Sequence, residues 1–306
     1  MSILKRRFNP VRKGISAFLL GTTALLAGAS LAFAQTTPTP PSLGTAANFA
    51  VLSAAPNSGG AVTCTNVVTS GDVGSSGGST SITQTNCTLT GNVVAPVGST
   101  VATDFSNAYN AFAGVNCTGS LNSAYTGAVT FGPGVYCNGA GVTFTNTTVT
   151  LDAQGDPNAV WIFKIGTGGT GALSGSNLTV LMANSGQANN VYWWVNQGVD
   201  DTSVGFQGSI LAGGNVNMTG LQGYVTPLNG DVLANGTVTL ANFTITGLPV
   251  PSTSPSKSTC NQGVGNGAEG CDPGNASQNP FLSISNDESG AVPGSPGRKG
   301  GVAGNK

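Results

Sequence analysis

The sequence predicts an all-β-dominated chain wound as a β-solenoid, with one α-helix packed alongside. Three observations carry this reading. Segments rich in Val, Thr, Ile and aromatics repeat at about 22 residues, Gly, Asn and Asp punctuate them, and a single segment has helical spacing.

The chain of 306 residues opens with Lys5, Arg6, Arg7, Arg12 and Lys13, followed by an apolar run that ends at Ala32-Phe33-Ala34. Residues 1–34 therefore read as a secretory signal cut near Ala34, and export without membrane integration is expected. The apolar run is interrupted by Gly21, Gly28 and Ser30 and is short for a membrane span. A Thr/Pro linker occupies 35–41. The patterned domain runs from 42 to 248, long enough for one well-buried core. Residues 249–306 turn to Gly, Pro, Ser and Asn with little periodicity, the composition of a largely disordered tail.

Within the domain, Gly208-Ser209-Ile210-Leu211-Ala212 recurs as Gly230-Asp231-Val232-Leu233-Ala234. Val216-Asn217-Met218-Thr219 recurs at the same interval as Val238-Thr239-Leu240-Ala241. Upstream the interval lengthens: Val149-Thr150-Leu151 aligns with Val180-Leu181-Met182, and Val160-Trp161-Ile162-Phe163 with Val191-Tyr192-Trp193-Trp194. A Gly-rich stretch at 166–175 is expected to bulge from one turn and account for the difference. A period near 22 suits a coil of three strands of about four to six residues with tight corners. Alternation such as Val142-Thr143-Phe144-Thr145 then turns apolar residues inward and Thr, Ser and Asn outward. A β-sandwich supplies turns every 8–12 residues or so but no reason to repeat at about 22.

The helical segment is 103–114, where Phe105, Ala108, Tyr109 and Phe112 form one stripe. Thr103 is the expected N-cap, Asp104 complements the positive helix end, and Gly114 stops it.

Six cysteines in an exported chain suggest disulfides. Neighbours in sequence suggest Cys64–Cys87, Cys117–Cys137 and Cys260–Cys271, one of about fifteen pairings open to six cysteines. With no histidine and no C-x-x-C pair, a zinc site is disfavoured, and no metal or cofactor is expected.

Charge narrows the partners. Between 42 and 247 the only base is Lys164, against Asp72, Asp104, Asp152, Asp156, Asp200, Asp201 and Asp231. Nucleic acid and anionic membranes require clustered Lys or Arg, which the domain lacks. The absence of histidine removes Ser-His-Asp and Cys-His machinery. Gly74-Ser75-Ser76-Gly77-Gly78 matches G-x-S-x-G by composition, without a base for Ser76. Asp200 and Asp201 are the one adjacent acidic pair in the domain, and neighbours on a strand face opposite ways. A carboxylate pair for glycoside hydrolysis requires convergence from a turn or from Asp152 or Asp156. The chain is read as no enzyme.

Several ordered motifs resemble the microbial ice-binding (antifreeze) protein family. They are Leu43-Gly44-Thr45-Ala46-Ala47-Asn48-Phe49-Ala50-Val51-Leu52, Thr69-Ser70-Gly71-Asp72-Val73-Gly74, the aromatic segments at 160–165 and 190–195, and the paired segments at 206–212 and 230–234. The resemblance covers about 42–247. It implies a discontinuous right-handed β-solenoid, triangular in section, with its helix alongside and one flat face that adsorbs to ice. Threonine suits such a face, since its stiff β-branched stem holds a hydroxyl and a methyl in fixed positions. By place within the coils, the candidate ice-contacting residues are Thr145, Thr147, Ser174, Ser176, Thr202, Thr219, Asn242 and Thr244. Thr167-Gly168-Gly169-Thr170 and Thr45-Ala46-Ala47-Asn48 also match a short pattern seen in some members. The expectation is a monomeric, secreted or cell-surface ice-binding protein. The alternatives are an adhesin or matrix protein on the same scaffold and, third, a polysaccharide-active β-helix enzyme.

Overall fold

The computed structural model describes residues 38–223 and 226–248. The leader, the tail and the Cys260–Cys271 pairing lie outside the described residues. The first coil comprises β1 (Phe49–Ser53), β2 (Val62–Thr65) and β3 (Val68–Ser70). The second comprises β4 (Asp72–Ser75), β5 (Ile82–Thr85) and β6 (Thr88–Leu89), and β7 (Val93–Val94) begins a third. Helix α1 (Ser99–Gly114) follows. Next come two-strand coils: β8 (Gly119–Ser120) with β9 (Ala124–Phe131), then β10 (Gly134–Asn138) with β11 (Val142–Asp152). They continue as β12 (Trp161–Ile165) with β13 (Leu173–Ala183), then β14 (Val191–Val195) with β15 (Val199–Gln207). The last two coils are β16 (Ser209–Ala212), β17 (Val216–Gly220) and β18 (Thr226–Asn229), then β19 (Val232–Ala234), β20 (Val238–Ala241) and β21 (Phe243–Thr246).

Every strand pairing is parallel, and the strands form three walls. One wall runs β7-β4-β1-β19-β16-β14-β12-β10-β8. The second runs β5-β2-β20-β17-β15-β13-β11-β9. The third runs β6-β3-β21-β18 and then over the far halves of β15, β13, β11 and β9. The stacking is discontinuous: the last coil docks on the first, through β19 on β1, β20 on β2 and β21 on β3.

The 22-residue repeat becomes in-register stacking, Ile210 beside Val232 and Val216 beside Val238. The longer interval also holds for Val149 beside Val180. On the first wall the alignment moves by one residue, since Trp161 and not Val160 stands beside Val191. Of the Gly-rich stretch, only 166–172 is turn; Leu173 onward belongs to β13.

Each coil must bend where the second wall meets the third, and the same device recurs there. Asn66, Asn86, Asn146, Asn177 and Asn242 all have φ between 48° and 62°, and Gly127 has φ 73°. Asparagine tolerates this left-handed region better than other side-chain-bearing residues. The amides then stack from coil to coil: Asn86 Nδ2 donates to Asn66 Oδ1 at 2.8 Å, and Asn177 Nδ2 to Asn146 Oδ1 at 3.0 Å.

The core is a column of inward side chains. Tyr136, Phe163 and Trp193 stack face to face, with centroids 5.7 and 4.2 Å apart. Phe163 and Trp193 are fully buried, Tyr136 partly so, and each fully buried side chain contributes roughly 1.5–3 kcal/mol. The disulfides Cys64–Cys87 and Cys117–Cys137 form as sequence neighbours.

The helix begins at Ser99, four residues earlier than the spacing suggested, with Gly98 as its N-cap. Asp104 is consequently not at the helix entrance. Its carboxylate accepts from the Thr45 backbone N–H at 2.8 Å and the Thr45 hydroxyl at 2.7 Å, contacts that hold it below the usual carboxylate range. Phe105, Ala108 and Phe112 are buried against Leu52, Ile162, Leu211 and Leu233 on the outer side of the first wall.

Candidate functional site

Helix α1 packs across the outer side of the first wall, whereas the second and third walls face solvent. In the second wall, burial alternates along β2, β20, β17 and β11, so every other residue points out. Strand register aligns these residues in two columns. One reads Thr83, Thr63, Thr239, Asn217, Asp200, Ser174, Thr143, Ala124. The other reads Thr85, Thr65, Ala241, Thr219, Thr202, Ser176, Thr145, Thr126. Neighbours within a column lie about 4.8 Å apart, and the columns are separated by roughly 6.6 Å. Only Asn217, Asp200, Ala124 and Ala241 interrupt the threonines and serines, and Asp200 is the one charged group on this face.

The third wall is less regular. Its outward columns include Val68, Pro227, Gly205 and Leu181 among the hydroxyls, with Val68 43% and Leu181 46% exposed. Large apolar groups and a proline break the even hydroxyl spacing that the second wall keeps.

Five of the sequence-derived candidates lie together on the second wall: Thr145, Ser176, Thr202 and Thr219 in one column and Ser174 in the other. Thr202 also staples its neighbouring coil, its hydroxyl accepting from the Asn177 N–H at 3.2 Å. Asn242 stands at the corner, and Thr244 lies on the third wall beside Val68. Thr147 leaves the surface altogether. It is 1% exposed, and its hydroxyl donates inward to the Tyr125 carbonyl at 2.9 Å. Thr45 to Asn48 form a 3-10 turn against α1, and Thr167 to Thr170 lie in the turn after β12. The residues that sequence reasoning missed are Thr63, Thr65, Thr83, Thr85, Thr126, Thr143 and Thr239. The signal for six of them was present as Thr-x-Thr, in Thr63-Cys64-Thr65, Thr83-Gln84-Thr85, Thr143-Phe144-Thr145 and Thr237-Val238-Thr239.

Directly beneath the face lies one acidic exception to the apolar lining. Asp201 points inward between Gly175 and Met218 and is 1% exposed. The Ser203 hydroxyl donates to its Oδ2, while Oδ1 has no hydrogen-bond partner. Burial pushes this carboxyl up to about 6, and the neighbouring Asp200 charge adds to the effect. Asp200 and Asp201 thus fall on opposite sides of β15. Asp152 ends β11, its carboxylate held low by the Asn184 amide and the Gln154 N–H. Among the described residues, no group of three or more metal-ligating side chains converges.

A solenoid with one wall sealed by a helix and another carrying a periodic hydroxyl grid is a scaffold for presenting an extended surface. The ice-binding-like family model matches residues 52–246, and the chain belongs to that family. Ice-binding protein 1 of Shewanella frigidimarina is 35% identical over 120 residues, which is 38% of this chain and 13% of that protein. An ice-binding protein of Nostoc sp. is 32% identical over 183 residues, covering 58% of this chain and 64% of that one. The chain therefore spans less than two thirds of the length of either relative. Among solved structures, an ice-binding protein from the Antarctic ascomycete Antarctomyces psychrotrophicus superposes with TM-score 0.56 at 28% identity, over 69% of this chain and all of that one. The corresponding domain of the Shewanella protein gives TM-score 0.56 at 27% identity, over 70% of this chain and all of that one.

Proposed function

We propose that this protein adsorbs to ice through the outer face of its second wall. The observation that carries the reading is the pair of aligned Thr/Ser columns across eight parallel strands. Each hydroxyl can order one water while the adjacent methyl discourages competing hydration, and β-branching holds both in place. A dense field of charges would instead retain its own hydration shells, and this face has Asp200 alone. Ordered water over such a grid can merge into a growing crystal and pin its surface. The role is non-catalytic, in keeping with the family. We also read the chain as exported, since the two disulfides among the described residues suit an oxidising compartment and residues 1–34 have the pattern of a signal.

The test is ice growth viewed by cryo-microscopy in a solution of the purified chain. Faceted crystals with a freezing gap or arrested recrystallisation are expected. Thr65→Tyr with Thr219→Tyr should abolish the effect, and Thr179→Tyr on the third wall should leave it. Round, freely growing crystals around folded wild-type chain would sink the proposal.

A further inference from the structure

The face is assembled from two parts of one chain whose docking on each other is held by strand pairing, with no disulfide across it. Residues 44–94 form an N-terminal unit, and 119–248 form the longer stack. They meet through β1 on β19, β2 on β20 and β3 on β21. Hydrogen bonds across the junction include Ser53 Oγ to the Gly236 carbonyl at 2.7 Å and Asn66 Nδ2 to Asn242 Oδ1 at 3.1 Å. Each disulfide stays on its own side. Cys64–Cys87 lies within the N-terminal unit, and Cys117–Cys137 ties the connection after α1 to the longer stack. The two parts are linked in sequence only by 95–98 and α1. That helix is fastened to the longer stack by Lys164, by Trp194 Nε1 donating to the Tyr109 carbonyl, and by the Tyr109 hydroxyl donating to the Asn196 carbonyl. Thr45 of the N-terminal unit donates twice to its Asp104 and Leu52 packs on it, contacts that belong to the junction.

We propose that the N-terminal unit exchanges between two copies of this chain, with 95–98 as the hinge. Every junction contact is available identically from a second copy, so exchange leaves the contacts unchanged and alters only which chain supplies them. The closed monomer is favoured by an effective concentration of about millimolar, so the exchanged pair forms when the chain refolds near that concentration. In that pair the threonines of β2 and β5 on each candidate face come from the partner copy. The inference rests on topology and is independent of what the face binds.

The experiment uses the full chain with Cys260→Ser and Cys271→Ser. One version carries Thr65→Cys and Ala241→Cys, register partners across the junction. A control carries Thr219→Cys and Ala241→Cys, register partners within the longer stack. Each is unfolded and refolded at micromolar and near-millimolar concentration with native disulfides intact, bridged by a short bismaleimide, and run on a denaturing gel. The junction pair should give covalent dimers at high concentration, roughly tenfold or more above the dilute sample, while the control stays monomeric. Light scattering on unsubstituted chain after the same cycle should show a dimer. Monomers alone in both measurements, or dimers from the control pair as well, would overturn the proposal.

Discussion

The Lys164 ammonium donates to the Val115 carbonyl oxygen at 2.5 Å, immediately beyond the last turn of α1. It also donates to the Ala113 carbonyl at 2.7 Å, so the one base of the domain satisfies acceptors at the helix end that no backbone donor reaches. A cation here also complements the negative end of the helix. Lys164 is 3% exposed, and burial lowers its pKa from the ordinary lysine value. Lys164→Met should cost about 2–3 kcal/mol, because two charge-assisted hydrogen bonds to the helix end are lost. Calorimetry should record a melting temperature lower by about 4–10 °C, with little change in strand content. An unchanged melting temperature would contradict this role.

Stability should also depend on pH in an unusual direction. Burial holds Asp201 up to about 6 and Asp231 up to about 7, the latter despite hydrogen bonds from Leu248 N–H and Ser209. A carboxyl with a raised folded pKa contributes stability below its unfolded value, about 4, and loses it as pH rises through 6 and 7. Asp104 and Asp152 have lowered values, so their contribution is present above about pH 4 and lost as pH falls further. The melting temperature should therefore peak near about pH 4–5 and decline toward about pH 8, by several kcal/mol of stability at most. Asp201→Asn with Asp231→Asn should flatten that decline. A wild-type curve that rises from about pH 5 to pH 8 would refute the assignment.

Asp201 occupies the space that a side chain at position 175 would take. A Cβ on Gly175 would collide with the Asp201 carboxylate, and φ is not the reason for this glycine. Gly175→Ala alone should destabilise by about 1–3 kcal/mol through overpacking. Gly175→Ala combined with Asp201→Ala should recover that loss and gain more, since the buried acid is removed as well. Denaturant titration of the four chains in this cycle measures the coupling, and additive effects would argue against direct competition for the space.

The repeats from β16 to β21 were readable because equivalent residues stack at a constant interval, as Leu211 on Leu233 shows. The stripe Phe105, Ala108 and Phe112 was readable for the same periodic reason. The docking of β1 between β4 and β19 was not, because Val51 meets Val232 through pairing distant in sequence that leaves no local pattern. The helix start was misplaced because Ser99, Thr100 and Val101 carry no strong helical signal of their own. The parity of the candidate face was legible within a strand and lost at the corners. Counting alternately from Thr145 assigns Thr147 outward, but Asn146 at φ 48° adds a left-handed step that turns Thr147 into the core. Beyond Asn242, by the same bend, Thr244 reaches the third wall.

That reversal distinguishes Thr147 from Thr145 in a direct test. The Thr147 hydroxyl donates to the Tyr125 carbonyl, so it ties β11 to β9 at the corner and meets no solvent. Thr147→Val keeps shape and branching but loses the hydrogen bond, which should lower stability by about 1–2 kcal/mol. Activity against ice, measured well below the melting temperature, should be unchanged. Thr145→Val keeps the methyl of an outward, partly exposed position and removes only its hydroxyl, so stability should stay within about 0.5 kcal/mol. Ice shaping should weaken if hydroxyl order on this face is what the crystal reads. The opposite pattern, with Thr147 controlling ice growth and Thr145 controlling stability, would show that the crystal reads another surface.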